Sequence, residues 1–238
     1  MTCVPGLGTL INTVTVLVGG ILGLRFGARI PERVRTSVVH VIGLTTLAIG
    51  LSDVLKTHNI VFPLVGMALG TVVGELLRIE DRLLGLGEWL RNRFARSSES
   101  TMFSSGFVNA TMLFCVGPLT ILGAIQDGLG VTPQLYIIKA SLDGFMSLVF
   151  ASVYGVGAIF SATSVFVVQG TLTLFGSQLD VLLNDRMQVE MFAAGGLAVL
   201  AIGLNLLGLT KIRLGSLLPG LVVTPALVAL FADTMRPW

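Results

Sequence analysis

The sequence predicts an all-α polytopic membrane protein of about eight transmembrane helices. Three observations predict it. Hydrophobic residues make up 53% of the 238 positions and charged residues only 12%, about half the charged share of an ordinary soluble domain. The mean hydropathy is +0.90. The apolar residues also gather in repeated runs of ~17–25, the length a helix needs to cross ~30 Å of hydrocarbon. The same composition excludes other classes. A net charge of +2 with no basic tail does not suit nucleic acid. Cys3 and Cys115 make neither a disulfide framework nor a metal spacing. The first apolar run lacks a basic n-region and is followed at once by arginines, so it reads as a retained span. Cys3 follows Met1 too closely to be a lipoprotein attachment site.

The elements follow in order. The first span is about 7–24, ended by Arg25, Arg29, Arg33 and Arg35 around Pro31. The second is about 36–54 and the third about 60–77. In residues 76–96, Leu76, Ile79, Leu83, Leu86, Leu90 and Phe94 recur at helical spacing with Arg and Glu between them and Trp89 alongside. That pattern predicts a helix lying in the interface plane. A polar linker, Ser97–Thr101, precedes a central pair of spans within 103–157. Spans six, seven and eight fall at about 161–179, 190–208 and 213–232. The join at 157–161 carries no charge, so one long helix and seven spans is the alternative. The basic residues cluster at 25–35, at 78–96 and at Lys211 and Arg213. The positive-inside rule places these clusters in the cytoplasm. Eight spans put all three there, with both termini outside; seven do not.

Residues 43–51, GLTTLAIGL, and 196–204, GLAVLAIGL, match at seven of nine positions, an offset of 196 − 43 = 153. Carried backward without a gap, the offset lays Glu32-Arg33 on Asp185-Arg186. Spans one to three therefore resemble spans six to eight, and because each copy lies five spans further along, an odd step, the copies face opposite ways. The organisation expected is a first repeat (1–78), an interfacial helix and linker (79–101), a central pair (102–158) and a second, inverted repeat (159–238). Inverted repeats characterise many transporters, with the site near the midplane.

The central pair carries polar groups that apolar spans normally exclude. Lys139, Asp143 and Ser147 stand four apart, on one helix face. An unpaired charge in hydrocarbon costs at least ~2.5–3.5 kcal/mol, so such a pair must neutralise itself or meet water. It reads either as a proton, cation or substrate site, or as a structural ion pair near the outer interface. Asn109, Gln126 and Asp127 line the preceding span. Asp127-Gly128 is also ordinary turn chemistry. Pro118 leaves the carbonyl of Phe114 without its helical donor and predicts a bend. Asn12, Gln169 and Asn205 are single amides that suit interhelical hydrogen bonding. Gly19, Gly23 and Gly27, like Gly66, Gly70 and Gly74, form ridges for close helix packing, within the chain or across a dimer. His40 and His58 stand without a second ligand at metal spacing. No nucleophile–base set is suggested, so neither an enzyme nor a cofactor is expected.

Several segments carry a resemblance: GFVNATMLFCVGPLTILGAIQDGL, KASLDG with FAS after it, RIPERVR after a glycine-rich first helix, and GGLAVLAIGLNLLGLTKIRLGSLLP. In these, nearly end to end, the chain resembles the bacterial membrane family DUF554. Pro118 and the GSLLPG segment are small departures. The resemblance implies a multi-pass protein of the bacterial inner membrane and supplies no reaction or catalytic residue. The function expected is a transporter or channel for a small solute or ion, its polar path lined by Asn109, Gln126, Asp127, Lys139, Asp143 and Ser147. The alternative is a structural or partner-binding membrane subunit. A homo-oligomer, a dimer first, is expected from the glycine ridges.

Overall fold

A computed structural model describes residues 3–27, 31–94 and 100–231. Arg29 and residues 97–99 of the expected linker lie outside them. Among the described residues every regular element is a helix. They are α1 (Leu7–Gly27), α2 (Glu32–Val54), α3 (Val61–Leu76), α4 (Ile79–Phe94), α5 (Ser100–Val116), α6 (Pro118–Gly128), α7 (Gln134–Tyr154), α8 (Val156–Leu174), α9 (Gly176–Leu182), α10 (Asp185–Leu206), α11 (Leu214–Leu217) and α12 (Gly220–Phe231).

The helix ends have local causes. Asn184 caps α10 by accepting the Met187 N–H at 3.0 Å, and Asp185 adds negative charge to the first turn. Pro118 begins α6, where its missing N–H is no loss. It cannot continue α5, and the two helices meet at 60°. The hydroxyl of Thr120 donates to the freed carbonyl of Phe114 at 3.2 Å. Gly155, at φ +72°, ends α7 and starts α8, a turn open to a residue without Cβ. α3 and α4 meet at 56°. Their joint holds Arg78 at φ 50°, a left-handed conformation that a non-glycine residue seldom adopts.

Among the described residues six helices are long and apolar enough to cross a membrane, or up to eight spans if the pairs α3–α4 and α5–α6 each count as one. Many large apolar side chains face outward, among them Leu64, Val72, Phe145, Val167 and Val222. Water would penalise such a surface; hydrocarbon matches it.

The chain forms two compact units. The first comprises residues 1–40 and 83–180. Here α1 runs parallel to α7, with Gly19 against the Gly144 carbonyl and Gly23 against that of Leu148. A Cβ at either glycine would strike the oxygen. α8 runs antiparallel to α1, pairing Thr9 with Thr173 and Gly20 with Ile159. The opposite directions of α7 and α8 along α1 exclude one continuous helix through Gly155. α5 runs parallel to α8: Gly157 meets the Phe103 carbonyl, and the Thr111 hydroxyl donates to Ser164 at 3.1 Å. Phe107, Phe114, Tyr136 and Phe150 fill the core.

The second unit comprises residues 41–82 and 181–238. α3 and α12 are antiparallel, with Gly66 on Thr224, Gly70 on Gly220 and Gly74 on Ser216. α2 and α10 cross antiparallel as well: Gly43 meets Gly203 and Leu207, and Gly50 meets Gly196 and Leu200. The buried Glu190 carboxylate accepts from the N–H groups of His58 and Asn59, at 2.9 and 3.0 Å, and from the Thr57 hydroxyl. It thereby fixes the start of α3. Asn205 does the same for the loop before α11, its Oδ1 accepting from Ile212 N–H and the Thr210 hydroxyl, both at 2.8 Å. Arg213 bridges Glu75 and Asp81 at 2.8 and 2.6 Å.

Candidate functional site: a buried polar line

Within the first unit the α1/α8 seam and the facing side of α7 carry the polar groups. Lys139 and Asp143 are one turn apart on α7, so they share a face. Lys139 Nζ lies 2.6 Å from Asp143 Oδ2. The two residues are 4% and 7% exposed, which makes this a buried ion pair. The pair is not isolated. Asn12 Nδ2, from α1, donates to the same Asp143 oxygen at 2.9 Å and to Gln169 Oε1, from α8, at 3.1 Å. Asn12 and Gln169 are both fully buried, and among the described residues Asn12 Oδ1 and Gln169 Nε2 have no hydrogen-bond partner. Ser147, one turn beyond Asp143, donates to the Val16 carbonyl at 2.7 Å.

The line continues in the other direction. Asn12 and Thr9 are one turn apart on α1, as are Gln169 and Thr173 on α8. The Thr9 and Thr173 hydroxyls are 3.1 Å apart. Thr9 Oγ1 also donates to Asp127 Oδ2 at 3.0 Å. Asp127 accepts from the Gly8 and Thr9 N–H groups at 2.9 and 3.0 Å as well. Asp127 is 1% exposed, so these donors stand in for water. At the end of its own helix the carboxylate opposes the dipole, but at the start of α1 it meets free N–H groups and positive potential. The seam thus has a carboxylate at each end and two hydrogen-bonded rungs between them. An open, largely apolar groove of about 590 Å³ adjoins the Thr9–Thr173 rung, lined by Gly6, Thr9, Leu10, Phe166, Gly170 and Thr173.

The sequence-derived residues divide accordingly. Lys139, Asp143 and Ser147 lie together, and Asp127 stands at the far end of the same line. Gln126 sits in the last turn of α6, its Oε1 accepting from Leu135 N–H at 3.5 Å. Asn109, half-buried on α5, makes none of these contacts. Thr9 and Thr173 were not singled out by sequence reasoning. Their signal was faint: a hydroxyl three residues before Asn12 and another four after Gln169. Asn12 and Gln169 do join helices, as single amides in spans suggest, but the helices they join include the one bearing the ion pair.

The DUF554 profile, described as a protein of unknown function, matches residues 7–229. The chain belongs to this family. It is 29% identical over 226 residues to a Bacillus subtilis (strain 168) relative named uncharacterized membrane protein YdfK, covering 93% of this chain and 95% of that one. It is 30% identical over 226 residues to the Escherichia coli (strain K12) uncharacterized protein YqgA, covering 94% and 96%. No solved structure matches the chain. DUF554 membership and the several apolar helices together make this a membrane protein. The polar line described above lies entirely within the segment the family profile matches.

Proposed function

We propose that the protein is a transporter or channel for a small solute or ion, with its path along the polar line from Asp127 to Lys139 and Asp143. The observation that carries this reading is the Lys139–Asp143 pair, buried in apolar helices beside two amide atoms that have no hydrogen-bond partner among the described residues. Burying both charges costs several kcal/mol each, and a dry ion pair seldom repays that cost through stability. A site that hydrates or exchanges partners during a transport cycle accounts for its presence.

Helix directions support eight spans. α2 returns the chain across the bilayer after α1. α5 runs opposite to α1, because it is parallel to α8 and α8 is antiparallel to α1. To enter α5 in that direction the chain must cross once more between α2 and α5, through α3 and α4. Eight spans leave both termini on one side, and the basic clusters at 25–35, 78–96 and 211–213 favour the outside of the inner membrane for them. α3, 16 residues long, makes most of that crossing, and the 56° bend lets the amphipathic α4 turn toward the interface. An inverted repeat is supported by packing within each unit: α1 lies antiparallel on α8, α2 on α10 and α3 on α12. Each of these is a helix against its own copy at the offset of 153. Gly43 meets the copy of Gly50, and Gly50 meets the copy of Gly43. Mutual contacts of this kind are what a two-fold relation between copies produces.

The test is flux in proteoliposomes. Solute- or ion-driven currents are expected for the native chain and lost in Asp143→Asn. Unchanged flux through a correctly folded Asp143→Asn variant would remove Asp143 from the path. A second reading, a structural membrane subunit, is favoured by Asp127, whose bonds to α1 account for its burial without any passenger.

A further inference from the structure

The Lys139 ammonium sits where a mobile cation would sit. Asp143 Oδ2 receives it at 2.6 Å, and the adjoining Asn12 keeps a fully buried carbonyl oxygen with no hydrogen-bond partner among the described residues. Asn12 and Gln169 can turn over together. Their mutual hydrogen bond survives with donor and acceptor exchanged, and Asn12 Oδ1 then replaces Nδ2 beside the Asp143 carboxylate. A cation bridging those two oxygens would have a charged and a neutral ligand, both hard oxygen donors. It would also remove the repulsion that the turned-over carbonyl would otherwise feel.

Space and charge narrow the ligand. The groove lies one rung away, and the residues around Asp143 are packed: Asn12, Ser147 and Gln169 are each 0% exposed. The room available is the room an ammonium group occupies. Electroneutrality allows one positive charge at a time, so the ligand is monovalent and enters only as Lys139 leaves. Lys139 has somewhere to go. It is five residues into α7, roughly 7–8 Å of helical rise from the helix start, and a lysine side chain can extend along apolar surface to put its head in water.

We propose that Asp143, with Asn12, is a binding site for a monovalent cation of ammonium size, and that Lys139 is a tethered competitor occupying it at rest. This rests on the transport reading only for its purpose; the binding itself is tested without flux. The purified full chain in detergent is titrated with potassium, ammonium or methylammonium chloride against N-methylglucamine chloride at constant ionic strength, and Tm is read. Because ligand binding stabilises by mass action, Lys139→Ala should gain roughly 3–5 °C in Tm for each tenfold rise in cation above Kd. The native chain should respond only at higher concentration, since its own lysine competes. Asp143→Asn should not respond to any of the salts beyond N-methylglucamine. A Lys139→Ala variant indifferent to the small cations overturns the proposal. So does a Lys139→Ala variant that folds in none of the salts while Lys139→Ala/Asp143→Asn folds, because the vacated carboxylate then found no cation. The native titration is independent of the variants: a native Tm that rises no more in the small-cation salts than in N-methylglucamine chloride, at any concentration, also overturns it. Cation-dependent stability in a protein that moves nothing across vesicles would sink the transport reading and leave this one standing.

Discussion

Asn12 of α1 and Gln169 of α8, 157 residues apart, share an amide–amide hydrogen bond of 3.1 Å at full burial. The same Asn12 nitrogen reaches Asp143 at 2.9 Å. One amide thus ties three helices together at the ion pair.

Replacing either amide with leucine should cost about 1–3 kcal/mol, because each change strands a buried donor or acceptor. The double variant Asn12→Leu/Gln169→Leu should cost less than the sum, with a coupling of about 0.6–1.7 kcal/mol. Equilibrium unfolding in micelles of the two singles and the double measures it. Additive costs would mean the bond contributes nothing.

Asp127→Ala should destabilise by about 2–3 kcal/mol, since it removes a charged acceptor from two N–H groups and a hydroxyl at once. Asp127→Asn keeps one acceptor oxygen and should lose roughly half of that. Thermal unfolding of both variants separates the charge from the shape. An Asp127→Asn variant as stable as the native chain would show that the negative charge at the start of α1 is irrelevant.

Glycines in the two units should respond with opposite signs. Gly70→Ala puts a methyl into the Gly220 backbone and should cost at least ~1–3 kcal/mol by overpacking. Gly85, on α4, has open space around its Cβ position, so Gly85→Ala should stabilise by about 0.5–1 kcal/mol through helix propensity. A Tm scan of the two variants checks both signs.

Two polar anchors of the second unit should differ in size. Glu190 is 3% exposed and holds the three-donor turn before α3; Glu190→Ala should cost about 2–3 kcal/mol. The Arg213 bridges are between half-exposed side chains, and Arg213→Ala should cost less than ~1 kcal/mol. Urea or heat unfolding would reverse this ranking only if the Arg213 site were dry.

The membrane class, the helical elements and the Lys139–Asp143 pair were legible because they depend on composition and on spacing within one helix. The bend at Gly117-Pro118 was legible because proline lacks an N–H wherever it falls. The rest was not local. Asp127 reads as a turn residue until α1 is placed beside it, since its partners are 118 and 119 positions earlier. Thr9 and Thr173 look like any hydroxyls that bond back to their own helix, as Thr13 and Thr171 do. Only the antiparallel seam of α1 and α8 makes a rung of them. The expected start of the sixth span at about 161 was late by one turn and more, because Gly155 and not the following small residues turns the chain.

α1 is held by parts of its unit that are made well after it. Asp127, Asp143, Ser147 and Gln169 follow their α1 partners by 118 to 157 residues, several seconds or more of synthesis at ~5–20 residues per second. Throughout that interval Asn12 must wait in lipid, or linger at the insertion machinery, without its eventual companions. Nascent chains halted before Gln169 should therefore be the ones that quality-control proteases remove, and α1 the segment by which they are recognised.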